Sequence, residues 1–190
     1  MGTSKGERRR QELVTAAAAL LRCGGFDAVR HRAVAERAGL PLASTTYYFA
    51  SLEELVTAAV ERTGRDELAE VRDQLAALPD GALGTAELVE LILDHLIGRE
   101  SRDGGLEAAL LRYERLVGAG RRPYLAPLMR QLRDEFDALL GEILARSGRS
   151  PDPMAVRDLV SLIDGTVVSA LIESYPDPRA VGREVLLRTL

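Results

Sequence analysis

Apolar residues in this 190-residue chain recur every third or fourth position and nowhere alternate with polar residues at period two. That spacing puts them along one side of a helix, whereas a half-buried strand requires the alternation that is missing. Ala, Leu, Glu and Arg, all strong helix formers, crowd the sequence. An all-α fold is therefore expected. With 46% hydrophobic residues the chain has ample material for a core, which excludes disorder as its dominant state.

The helices can be placed from their stripes and stops. Leu13, Ala16, Ala17, Leu20 and Leu21 form one face of a first helix, which Gly24-Gly25 ends. A second, short helix from about Arg30 to Ala38 buries Val34, Ala35 and Ala38, and Gly39 permits a sharp turn after it. A third runs from about Pro41 to Tyr48. Ser51-Leu52-Glu53-Glu54 reads as a capping box, the Ser51 hydroxyl accepting from the Glu54 amide and the Glu54 carboxylate reaching back to Ser51. The fourth helix that it starts continues past Leu68. Pro79 and the pairs Pro123/Pro127, Pro151/Pro153 and Pro176/Pro178 then divide the rest into helices with stripes such as Leu88, Leu91, Ile92, His95, Leu96 and Leu128, Leu132, Phe136, Leu139, Ile143. From Asp152 to Ser174 apolar residues wrap most of the circumference, the pattern of a helix buried against its own core and against a partner.

Charge is uneven along the chain. Residues 1–50 hold eight basic and four acidic side chains, a local +4 within a total of −4. A basic end on an acidic body suits contact with a polyanion, although a solvated basic face is the plain alternative. No apolar run approaches the length of a membrane helix, and the basic N-terminus leads into an amphipathic helix rather than a secretory core. The lone Cys23, with His31 and His95, is too small a set for a structural zinc site, and no cofactor is expected. A reducing cytoplasm fits best.

Two short helices joined at a glycine, resting on a longer helix and followed by another, have helix-turn-helix spacing. Gly25-Phe26-Asp27-Ala28, Val34-Ala35-Glu36-Arg37-Ala38-Gly39-Leu40 and Thr46-Tyr47-Tyr48-Phe49-Ala50-Ser51-Leu52-Glu53-Glu54-Leu55 resemble the N-terminal DNA-binding domain of TetR-family transcriptional regulators over about residues 7–60. The resemblance implies a three-helix DNA-binding domain at residues 1–50, a connecting helix over about 51–75, and a helical ligand-binding and dimerisation domain at 76–190. It also implies a cytoplasmic homodimer on palindromic operator DNA, usually a repressor released by a small ligand.

Within that frame Pro41, Leu42, Ala43, Ser44 and Thr45 are small or flat enough to approach base edges. Of the adjacent Tyr47 and Tyr48, at least one is expected to present its hydroxyl to phosphate while Phe49 packs inward. Arg32 occupies a position where the family often contacts phosphate, with Arg30 beside it in place of a small hydroxyl residue. The sequence also departs from the family. Leu52 stands where a phosphate-binding lysine is usual, Thr46 where a tyrosine is, Tyr48 where a histidine is and Ala43 where a glycine is. Arg8, Arg9 and Arg10 are the available replacements for the lost charge.

In the C-terminal part, Arg112-Tyr113-Glu114 and Arg121-Arg122-Pro123 resemble stretches on the sixth and seventh helices of some members. His95, Tyr113, Glu114 and Asp164 interrupt apolar faces and are the ligand-binding candidates, with Arg112 as counter-ion for an acidic ligand. For each, a satisfied core or surface side chain is the alternative. Gly165, in the most apolar helix, suggests close helix packing. Leu159, Ile163, Val167, Leu171 and Val185 are the expected dimer interface.

Two rival readings remain. An enzyme would need a constellation around Glu90, Asp94 and His95, yet no second histidine lies at helical spacing and Gly118-Ala119-Gly120 lacks a third glycine. A helical interaction protein with a degenerate helix-turn-helix draws support from Leu52 and Thr46, and the basic N-terminal fifty residues argue against it.

Overall fold

A computed structural model describes residues 5–78 and 83–190, and among these no strand occurs. The helices are α1 (Lys5–Ala28), α2 (His31–Ala38), α3 (Leu42–Tyr48), α4 (Leu52–Ala77), α5 (Thr85–Ile97), α6 (Ser101–Ala119), α7 (Ala126–Arg146), α8 (Pro153–Ile172) and α9 (Pro178–Thr189), with a 3-10 turn at Pro123–Leu125. Pro79 lies outside the described residues. Two compact units result: residues 1–65 with 114–129, and residues 66–113 with 130–190. The division falls inside α4, after Arg65; the sequence reading placed a connecting helix over about 51–75.

In the first unit α1 supplies the floor. Its fully buried Leu13, Ala17 and Leu21 join Val34 of α2, Phe49, and Leu55 and Ala59 of α4 in one apolar core. α1 breaks at Gly24 and Gly25, where Gly25 adopts φ 63°, as the paired glycines led one to expect. Gly39 ends α2 at φ 64°, the left-handed turn that aims α3. The start of α4 differs in one detail from the expected box. Ser51 Oγ accepts from the Glu54 amide at 3.1 Å, but Glu54 Oε2 accepts from the amide of Ala50, at 2.7 Å, one residue earlier than expected.

The second unit is held by apolar packing of α5 and α8 and by a buried ionic cluster. Asp94, its side chain wholly buried, accepts from Arg102 Nε and Nη2 at 2.8 and 2.7 Å and from Arg179 Nη2 at 2.8 Å. Glu90 accepts from Arg179 and Arg183 at 2.7 Å each. Burial raises the Glu90 carboxyl, but these guanidinium hydrogen bonds outweigh it and hold the group down to about 2. Asp94 is thus neutralised by two cations, and α5, α6 and α9 are tied at one point. Asp152 and Asp177 cap α8 and α9, accepting from Ala155 and Ala180, and Pro153 and Pro178 take the first helical positions.

Most of the residues expected at the dimer interface lie inside the protomer. Ile163 and Val167 are fully buried within the protomer, Leu159 is 8% exposed, and Leu171 and Val185 are half-buried. That face packs on α5 and α9. The outward stripe is Met154, Leu162, Val168 and Ile172, with Ser161, Gly165 and Ser169 also exposed. Nothing in the protomer lies within 4 Å of where a Gly165 Cβ would stand.

His95 is 1% exposed, its ring tilted against that of Phe136 at 4.9 Å, and Nε2–H donates to the Phe136 carbonyl at 2.8 Å. Burial pushes the imidazole down to about 4. In the unfolded chain the ring takes up its proton near 6.5. Between those values only the unfolded state binds the proton, so stability falls as pH drops through this window. Thermal melts should show a loss on the order of 2 kcal/mol from pH 7 to pH 5 that His95→Gln, which can still donate to Phe136, largely removes; equal losses in both proteins would contradict the assignment.

Candidate nucleic-acid interface and effector region

α3 has seven residues, and which of them face outward follows from how it rests on the core. Leu42 is 52% and Tyr47 81% exposed, and Ala43 and Thr46 are also exposed. Ser44 and Tyr48 are half-buried, and Phe49 turns inward. Thr45 does not belong to the outward set. It is fully buried, and its hydroxyl is satisfied by donating to the Leu42 carbonyl at 2.8 Å, so it packs the helix down instead of reaching a base. Thr46 Oγ1 likewise donates to Ala43, at 3.2 Å, but remains at the surface.

Tyr47 is exposed and lies edge-on to Tyr48, ring centroids 4.8 Å apart, so its ring is not part of the core. Arg32 is exposed and makes no hydrogen bond or ion pair among the described residues. Arg30 is anchored through Nε to the Asp27 carbonyl at 3.0 Å. Of the N-terminal arginines, Arg8 lies 3.7 Å from Glu12, and Arg10 sits over the Phe49 ring at 4.9 Å. Leu52 is 38% exposed, an uncharged side chain at the start of α4.

Sequence reasoning did not find the part that residues 114–129 take in this unit. The Arg122 guanidinium stacks 3.9 Å over the Phe26 ring, and Gly118 lets the ring approach until a Cβ there would stand 3.1 Å from it. These contacts span nearly a hundred residues, beyond any local pattern. They help form a groove of about 480 Å³ lined by Phe26, Arg30, Leu52, Arg121, Arg122 and Tyr124, with Asp27 and Glu53 among its carboxylates. Burial raises the Tyr124 phenol. Counted over the unit, 13 basic side chains face 8 acidic ones, a net +5; the other unit has 12 against 21, a net −9.

The ligand candidates separate. Tyr113 donates to Asp164 Oδ1 at 2.9 Å; burial, then the Asp164 charge, pushes the phenol far above its ordinary range, so it stays a neutral donor. Arg133 lies 3.8 Å from the same carboxylate. Arg112 is no counter-ion for an acidic ligand, because it is buried and occupied by Glu67 at 2.7 Å and the carbonyls of Leu96 and His95. Glu114 is exposed rather than interior. His95 turns to Phe136 while Asp94 is engaged by Arg102 and Arg179, so these groups do not converge on a catalytic centre. No group of three or more His, Cys, Asp or Glu suited to a metal occurs among the described residues, and no helix there is long and apolar enough to cross a membrane.

Two family models match this chain. One, described as bacterial regulatory proteins of the tetR family, matches residues 13–59; the other, a tetracyclin repressor-like C-terminal domain, matches residues 83–190. The chain is 27% identical over 161 residues to the HTH-type transcriptional repressor KstR of Rhodococcus jostii, covering 85% of this chain and 71% of that protein. The multidrug binding protein EbrR complexed with ethidium is similar at 34% identity and a TM-score of 0.68, covering 95% and 97% of the two chains. A TetR-family member from Streptomyces coelicolor A3 is similar at 34% identity and a TM-score of 0.62, covering 95% and 96%.

Proposed function

Because the chain belongs to the TetR family of bacterial regulatory proteins, we propose that it is a cytoplasmic homodimeric repressor that binds palindromic operator DNA and leaves it when a small molecule binds the C-terminal domain. The observation that carries this reading is α3, whose Leu42, Ala43, Thr46 and Tyr47 are exposed on a unit of net +5. Leu42, Ala43, Ser44 and Thr46 meet base edges in the major groove, and Arg30, Arg32, Tyr47 and Tyr48 meet phosphates. With an apolar Leu42 and Ala43 in front, part of the readout is contact with thymine methyl groups.

Dimerisation uses the outward stripe of α8 around Leu162, Gly165, Val168 and Ile172, helped by the exposed Leu187 of α9. Large apolar side chains repeated along one solvent face are the mark of an interface, and the exposed glycine lets a partner helix approach closely. The effector is an aromatic cation. Asp164 accepts from Tyr113 and lies 3.8 Å from Arg133; the net −9 of its unit favours positive charge, and the similar EbrR is found with ethidium. Such a ligand releases DNA only by binding one conformer more tightly than the other.

Three measurements test these assignments. Tyr47→Phe and Arg32→Ala should each weaken binding across DNA sequences, the arginine change also lowering the salt slope by about one unit; unchanged affinity and slope in both would remove the phosphate assignments. Leu162→Arg should sediment as a folded monomer, and a retained dimer would move the interface off this stripe. Ethidium, added without DNA, should gain fluorescence with the protein, and Asp164→Asn should weaken that binding on the order of tenfold, about 1.4 kcal/mol; equal affinity for both proteins would discard the charge argument.

A further inference from the structure

The cationic surface of the first unit is not confined to the helix-turn-helix. Residues 5–65 carry ten basic and seven acidic side chains, a net +3, and residues 114–129 add Arg115, Arg121 and Arg122 against Glu114 alone. Two-fifths of the unit's surplus positive charge therefore comes from a segment that belongs, by sequence, to the C-terminal family model.

The arginines there differ in what occupies them. Arg122 is committed: it stacks on Phe26 at 3.9 Å and donates Nη1 to the Gly118 carbonyl at 2.8 Å. Those contacts, with the tight approach of Gly118 to the same ring, fasten the 118–124 turn onto the end of α1. Arg121 is the opposite case. It is exposed, and its guanidinium makes no hydrogen bond or ion pair among the described residues, although Asp27 and Glu53 line the same groove. It lines the same groove as Arg30, which precedes α2, and Leu52, the uncharged first residue of α4. A fixed backbone thus presents an unspent, planar cation on the face of the unit where the chain enters α2 and α4.

We propose that Arg121 is a DNA-backbone contact supplied from outside the helix-turn-helix, binding one operator phosphate beside Arg30. The guanidinium fork suits the oxygens of a phosphodiester, and the stacked Arg122 reduces the freedom lost on binding by holding the turn in place. The inference rests on the DNA-binding reading above.

The test measures affinity for a labelled duplex of mixed sequence by anisotropy, between about 50 and 200 mM salt. Arg121→Ala should bind several-fold more weakly and lower the salt slope by about 0.9 per protomer, with an unchanged melting temperature, and Arg121→Lys should restore the slope. A wild-type slope in Arg121→Ala, alongside wild-type protein that binds the duplex, overturns this contact and leaves the DNA-binding reading standing. Wild-type protein that does not bind at all overturns both.

Discussion

A seven-residue helix does not hold itself together in water, so everything α3 offers a partner depends on the small core beneath it. That core is assembled from three helices and the residue that follows α3: Leu13, Ala17 and Leu21 from α1, Val34 from α2, Phe49 after α3, and Leu55 and Ala59 from α4. Thr45 serves it too, burying its methyl while the hydroxyl stays satisfied by Leu42. With one side of α3 fixed in this way, Tyr47 and Leu42 are left facing solvent. Their exposure is a consequence of the packing.

The second unit solves a different problem. Its interior contains Asp94, Arg112 and Arg179 as well as leucines, and each charge is matched by opposite charge or by carbonyl oxygens. Replacing one member of such a set leaves a buried charge exposed to its own desolvation cost, about 3 to 5 kcal/mol. The cluster therefore fixes the register of α5, α6 and α9 more strictly than apolar contacts alone would. It also occupies the very groups that, by sequence, resemble a catalytic or anion-binding set.

Much of this was legible in the sequence because it is local. Gly39 marks the α2 turn, Ser51 and Glu54 the start of α4, and the pairs Pro151/Pro153 and Pro176/Pro178 the breaks before α8 and α9. Periodicity was blind where a helix is apolar on both sides. In α8 the spacing that selects Leu159, Ile163 and Val167 is no different in kind from the one that selects Leu162, Val168 and Ile172, and only the positions of α5 and α9 decide which is inward. Partners far apart in sequence were equally invisible: Arg112 with Glu67, His95 with Phe136, and Arg122 with Phe26. The last of these matters most, since it shows a C-terminal segment taking part in the basic unit.

The proposed function requires that two copies of this unit read one DNA site together. Selection of binding sites from random double-stranded DNA by the purified protein tests it most directly. The expected result is an enriched palindrome whose half-sites lie about one helical turn, roughly 34 to 36 Å, or a multiple of it apart. A pool that gains no palindrome at low salt would contradict it and point instead to a helical ligand-binding protein that retains the helix-turn-helix without reading DNA.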